Sequence, residues 1–186
     1  VEAQANLLAK EDGESNTGIC LYLKNKDAKP LWTADRQGAL CQWASTQQLA
    51  RLSIDDQHSP LTLYAPTLPR TKFGTIEVTP PPGAFLQATL HGEDSLQQTV
   101  AEILDGHNYI ADLFAGCGTL SLPLIDQISG LLAVESDNSA LTALKAGVDA
   151  SGHGSRLTTQ DRNLFDVPLL PGELAKTSGV IIDPPR

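Results

Sequence analysis

The sequence predicts an α/β protein: the first half of a doubly wound domain with a parallel sheet, preceded by a small α+β subdomain. Two observations carry this. From Gly92 onward, apolar runs of strand length alternate with amphipathic stretches of helix length, and strands so separated pair in parallel through crossovers that cover both sheet faces. A glycine loop, Gly116-Cys117-Gly118, follows the first of these runs, at the point where open α/β sheets hold ligands.

The subdomain is expected over residues 1–91 and is the less regular part. Thr17–Leu23 reads as a strand, Gln37–Leu49 has helical spacing through Leu40, Trp43 and Leu49, and Leu61–Tyr64 and Phe73–Val78 read as short strands. Pro60, Pro66, Pro69 and the run Pro80-Pro81-Pro82-Gly83 interrupt it, because proline donates no ladder hydrogen bond. The second domain, residues 92–186, is expected to open on a helix with a capping box at Ser95 and Gln98, an apolar face of Leu96, Val100, Ile103 and Leu104, and a stop at Gly106. There follow a strand over Tyr109–Phe114, a helix over 119–128, a strand over Leu131–Val134, a helix over Ser139–Ala150, a short strand at Leu157–Thr159 and a last strand at Gly179–Ile182.

Composition narrows the class. The chain has 186 residues, 41% hydrophobic and 19% charged, values of a packed globular domain rather than a disordered chain. No apolar run reaches the roughly 18 residues of a spanning helix, so no membrane association is expected. Twenty-two acidic residues face 13 basic ones, for a formal charge of −9. The charge splits as −3 over 1–95 and −6 over 96–186, so neither half is an isolated polyanion binder. The lysines at 24, 26 and 29 and the pair Arg70 and Lys72 read as solvated edges. Cys20, Cys41 and Cys117 are too few and too far apart for a disulfide framework or a metal cluster; a reducing, cytoplasmic setting, a monomer and no metal are expected. His58, His91, His107 and His153 lie scattered in turn-rich segments and read as loop residues, while Trp32, Trp43 and Tyr64 are expected in the core of the first subdomain. The chain starts at Val1, has no Met and stops directly after an apolar run. We therefore expect a piece of a longer protein.

The candidate site gathers at strand ends. Asp112-Leu113-Phe114-Ala115-Gly116-Cys117-Gly118-Thr119 spans the first turn, where glycines let backbone approach a ligand. Glu135 ends the second strand, 17 residues after Gly118, and a carboxylate there can accept both hydroxyls of a ribose. A dinucleotide fingerprint would want glycine at position 121, which is Ser121. Asp112 is awkward for a pyrophosphate but suits an ammonium group; a structural role at the strand end is an equal reading. Asn163 follows the third strand, and Asp183 closes the fourth.

These residues resemble the RNA 5-methyluridine (uracil-5) methyltransferases, S-adenosylmethionine-dependent enzymes that modify uridine in ribosomal and transfer RNA. The likeness rests on PPGAFLQA (Pro81–Ala88), DLFAGCGTLSLPL (Asp112–Leu124), VESD (Val134–Asp137) and IIDPPR (Ile181–Arg186), and covers roughly residues 73–186. The first motif discriminates, since many methyltransferases share the glycine loop and a DPP end. The resemblance implies a Rossmann-like methyltransferase domain, S-adenosylmethionine as cofactor, RNA as substrate, and cofactor contacts from Gln87, Phe114, Gly116, Gly118, Thr119, Glu135, Asn163 and Asp183. Thr119 stands where one branch of the family has Asn. Carbon 5 of uracil is a poor nucleophile, so its methylation needs a thiolate to add at carbon 6 and a base to remove the carbon 5 proton. In the family that Cys and Glu lie downstream of the DPPR motif, so no catalytic residue is expected in this chain; Cys117 reads as a packing residue of the loop. Two other readings stay open: a methyltransferase acting on an exocyclic amine, and a non-catalytic nucleotide-binding module.

Overall fold

A computed structural model describes residues 2–8, 18–24, 32–55 and 60–185; Thr17, Lys26, Lys29, His58 and Arg186, all named above, lie outside the described residues. The chain forms two compact units, Val1–Thr71 and Lys72–Arg186.

In the first unit, β1 (Glu2–Leu8), β2 (Gly18–Lys24), β3 (Arg51–Asp55) and β4 (Pro60–Tyr64) make one sheet in that order. β2 and β3 are parallel, linked through α1 (Ala34–Thr46), and the flanking pairs are antiparallel. Pro60 opens an outer strand, a position where its missing N–H costs the ladder nothing. The expected helix through Leu49 stops at Thr46. Gln48 turns into the left-handed region at φ 53°, and the Leu49 amide reaches back to the Ala44 carbonyl, which drops Leu49 into the core beside Ala44 and Leu52. Trp43 does not join that core and is 45% exposed. Trp32 donates its indole N–H to the Asp55 carbonyl, and Tyr64 packs on the core margin. β1 and β3 have no counterpart in the sequence expectation.

The second unit begins earlier than residue 92. β5 (Thr71–Phe73) and β6 (Ile76–Val78) form a hairpin where one short strand was expected over 73–78. Gly74 makes the turn at φ +60°, and a Cβ there would stand 2.7 Å from Pro123. Phe73, Ile76 and Val78 are buried in the core of the α/β unit together with Leu144 and Val148. The hairpin is therefore part of the α/β unit's packing rather than the end of the first subdomain.

The main sheet of this unit runs β10-β7-β8-β9, with β7 at Tyr109–Leu113, β8 at Gly130–Glu135, β9 at Leu157–Asp161 and β10 at Gly179–Ile182. All three pairings are parallel. The fold class expected from sequence is thus observed. Strand order reverses at β7, since β8 lies on one side and β10 on the other, and such a switch point opens a crevice at the carboxyl ends.

Two helices differ from expectation. α2 covers Leu90–Ile103 and is capped by Thr89, whose hydroxyl accepts the Gly92 amide, so the Ser95 capping box lies inside the helix. The stretch 119–128 holds only a 3₁₀ turn at Leu122–Leu124. Pro123 has no N–H to give the carbonyl four residues back, that of Thr119; the Gln97 side chain donates to it instead, at 2.9 Å. α3 (Asn138–Ala150) forms as expected, N-capped by Asp137, and presents Leu141, Leu144 and Val148 to the core.

Candidate functional site

A cleft of about 1140 Å³ opens at the carboxyl ends of β7, β8 and β10. The loop after β7 shapes its floor. Phe114 has φ 66°, a left-handed conformation costly for a side chain with a Cβ, and Gly116 and Gly118 come next at 53° and 86°. This sequence of reversals swings the chain over the sheet edge so that Gly116 faces the cleft while Gly118 goes underneath, where a Cβ would meet Leu122 at 2.6 Å. Cys117 is buried beside it, at 2% exposure.

Glu135 locks this loop. One carboxylate oxygen accepts the Gly116 amide at 2.9 Å; the other accepts the Ser136 amide at 2.7 Å, the Ser136 hydroxyl at 3.2 Å and the Asp137 amide at 2.8 Å. Asp137 in turn accepts from Ser139 and Ala140 amides at the start of α3. The oxygen bonded to Gly116 has room for a further donor, since a carboxylate oxygen offers two lone pairs.

Six of the eight residues expected from sequence line the cleft: Gln87, Phe114, Gly116, Thr119, Glu135 and Asp183. Gln87 arrives from the irregular segment after the Pro80-Pro81-Pro82 run and shares the cavity with the glycine loop. Gly118 and Asn163 are not in the wall. Gly118 packs below it, and Asn163 is engaged in its own turn, accepting the Phe165 amide at 3.1 Å and donating to Asp166 at 2.6 Å. That turn carries out Phe165, which sequence reasoning missed: its ring lies 5.2 Å from that of Phe114, tilted by 44°, and is 68% exposed in the cleft wall. Arg162 pairs with Glu173 through its two terminal guanidinium nitrogens, at 3.1 and 2.7 Å, and so pins the segment between them.

The charge of the cleft is one-sided. Asp112, Glu135, Asp137 and Asp183 line it, and no Lys, Arg or His does so among the described residues. Asp112 is 2% exposed, and its Oδ2 has no hydrogen-bond partner. Burial first, with Asp183 and Glu135 adding to it, pushes its carboxyl up to about 6; the nearby Ser121 hydroxyl opposes this without completing a bond of good geometry. No cluster of three or more His, Cys, Asp or Glu side chains fit to hold a metal occurs among the described residues, and no helix there is long and apolar enough to cross a membrane.

One histidine departs from the expectation of an unpaired loop residue. His153 contacts Asp126 through Nε2 at 2.8 Å and the Ser151 hydroxyl through Nδ1 at 3.1 Å. This is not a nucleophile: the Ser151 hydroxyl donates to the Val148 carbonyl at 2.7 Å, so the trio closes the end of α3.

The α/β fold with its parallel sheet matches that of solved Rossmann-like methyltransferases. The chain overlays on the Pyrococcus abyssi tRNA (uracil-54, C5)-methyltransferase solved with S-adenosyl-L-homocysteine with a TM-score of 0.61, 14% identity, and coverage of 91% of this chain and 41% of that one. It overlays on the tRNA m1G37 methyltransferase of Methanocaldococcus jannaschii with a TM-score of 0.52 and 12% identity, over 85% and 46%. At such identities the likeness is one of fold. Sequence relatives are nearer: proteins described as uncharacterized RNA methyltransferases are 42% identical over 140 residues in Mesorhizobium japonicum (75% of this chain, 33% of the relative) and 36% identical over 152 residues in Brucella suis (82% and 35%). No family model matches the chain. The chain spans about a third of the length of these relatives, and its resemblance to RNA methyltransferases is borne out at that level.

Proposed function

We propose that the protein transfers the methyl group of S-adenosylmethionine to carbon 5 of a uridine in ribosomal or transfer RNA, and that residues 1–186 supply the cofactor cleft. The observation that carries this is the meeting of Gln87, from the PPGAFLQ segment, with the Gly116 loop, Glu135 and Asp183 in one cavity. The donor set suits the cofactor: among the described residues the wall's charged side chains are all acidic, and a buried carboxylate among them has one oxygen without a partner, which favours a ligand bearing sulfonium and ammonium charges. When bound, the cofactor supplies an electrophilic methyl group. Glu135 accepts one ribose hydroxyl on the oxygen that keeps Gly116 in place, its other oxygen being taken by Ser136 and Asp137; Phe165 and Phe114 offer an aromatic surface to the purine, and Asn163 acts through the turn that aims Phe165. Asp183 stands just past the end of β10 and opens the DPP segment. The attacking thiolate and the base that removes the carbon 5 proton come from outside residues 1–186, and Cys117, which touches the cleft wall but is only 2% exposed within the loop, is read as a packing residue and not as that thiolate. A cytoplasmic monomer goes with this reading.

Nucleoside analysis of RNA incubated with the full-length protein and cofactor tests the target: 5-methyluridine is expected, whereas a methylated ring or exocyclic nitrogen would favour the amine-directed alternative. With RNA containing 5-fluorouridine, the full-length protein is expected to form a denaturation-resistant adduct and residues 1–186 none. An adduct from 1–186 that vanished on Cys117→Ala would place the nucleophile in the glycine loop.

A further inference from the structure

We infer that Asp112 is the counter-ion by which the cleft chooses a cationic ligand over its neutral product, with uptake of the cation coupled to release of a proton from this carboxyl. The inference rests on the reading of the cleft as the S-adenosylmethionine site. A carboxyl at 2% exposure whose Oδ2 has no hydrogen bond of good geometry, with only the neutral Ser121 hydroxyl beside it, is costly to ionise and costly to leave without an opposite charge. Among the described residues, every charged side chain that shares the wall with it is also acidic: Glu135 from the end of β8, Asp183 from the end of β10, and Asp137 at the start of α3. α2 faces the cleft with Leu96, Val100 and Ile103, which neither neutralise nor solvate it. The missing partner is therefore a cation brought by the ligand.

The ligand's ammonium is common to substrate and product, so the partner that the chemistry makes temporary is the sulfonium, and a preference between the two ligands reports that charge. In methyl transfer the carbon–sulfur bond breaks with its electron pair staying on sulfur, the methyl carbon bonds to the acceptor, and the sulfonium becomes an uncharged thioether. The product thus carries one positive charge fewer, among carboxylates drawn together with no basic side chain in the described wall. With the ligand cation bound, Asp112 is ionised and its proton goes to solvent. With the neutral product, the carboxyl takes a proton back and the attraction lapses. A carboxyl held at about 6 places this exchange around pH 6, and above about pH 7 the carboxyl is largely ionised with either ligand.

Calorimetric titration of the protein with S-adenosylmethionine and S-adenosylhomocysteine tests this, in two buffers of different ionisation enthalpy and at about pH 5, 6 and 7.5. At about pH 7.5 the wild type should prefer the sulfonium ligand by roughly tenfold, one charge pair in a partly shielded site. That preference should shrink toward parity at about pH 5, and roughly half a proton should be released per sulfonium bound near pH 6. Asp112→Asn should flatten the preference at all three pH values while still binding the neutral ligand, and Asp112→Glu should restore part of it. Neutral-ligand binding by Asp112→Asn also reports that the variant is folded. A wild-type preference that is independent of pH, or one that Asp112→Asn leaves intact, overturns the inference alone. Failure of the wild type to bind either ligand overturns the cofactor reading and this inference with it.

Discussion

The Glu135 carboxylate and the Gly116 amide meet at 2.9 Å, so the end of β8 holds the loop after β7. One acidic side chain thus shapes the floor of the cleft and supplies a hydrogen-bond acceptor to it. Glu135→Ala is expected to weaken binding of S-adenosylhomocysteine by about 1–3 kcal/mol, and to speed hydrogen exchange at Gly116. Glu135→Gln should bind nearly as weakly, because an amide presents at most one acceptor oxygen where the carboxylate uses both. Calorimetry gives the first result and amide exchange the second; an unchanged affinity would remove the ribose role.

Gly116 and Gly118 both have positive φ but differ in what surrounds them. A Cβ at 116 meets nothing within 4 Å, whereas one at 118 strikes Leu122 at 2.6 Å and Leu144 at 3.0 Å. Gly118→Ala should therefore cost about 2–4 kcal/mol of stability, backbone strain plus overpacking, and Gly116→Ala only about 1 kcal/mol. Urea denaturation of the two variants compares them directly. In ligand binding the order should reverse relative to stability loss, since Gly116 and not Gly118 lines the cleft.

Asp112 makes the ligand-free protein sensitive to pH in an unusual direction. Its carboxyl is raised from an ordinary 3.8 to about 6, so between those values the folded chain holds a proton that the unfolded chain has lost. Its contribution is fully present below about pH 4 and is lost as pH rises through about 6, on the order of 3 kcal/mol in all. Comparing urea midpoints of wild type and Asp112→Asn across that range should show the wild type losing stability relative to the variant as pH rises. Parallel curves would mean the carboxyl titrates normally.

Asp137 accepts the Ser139 and Ala140 amides at the start of α3. Asp137→Ala should cost about 1 kcal/mol, while Asp137→Asn, which keeps an acceptor oxygen, should cost less. Thermal unfolding is sufficient to rank them.

The parts of this molecule that were legible in the sequence are those with strong local rules. The glycine loop, the carboxylate ending β8 and the four parallel strands arise from strand-end chemistry and from apolar runs that need covering on both faces. What escaped was set by partners distant in sequence. β3 is buried along most of its length between β2 and β4, yet Arg51 and Ser53 break its apolar pattern, the latter meeting the Thr62 hydroxyl at 3.1 Å. α2 begins at Thr89 with Gly92 where a capping box would place Glu or Gln, so the weaker Ser95 and Gln98 pair was the visible signal. Phe165 carries no motif; it was findable only as an aromatic two residues beyond an Asn that makes a turn. Asn163 lies in the loop that carries Phe165, but its side chain bonds within that loop instead of facing the cleft.

The exchange at the Thr119 carbonyl, where Gln97 takes the place that Pro123 leaves vacant, ties the fates of two positions far apart in the chain. Among descendants of a common ancestor, a lineage that replaced the proline could close the turn with its own backbone and release position 97 to drift. A lineage that kept the proline could not lose the amide without stranding an oxygen. Substitution histories at 97 and 123 should therefore be linked, with glutamine surviving where proline does.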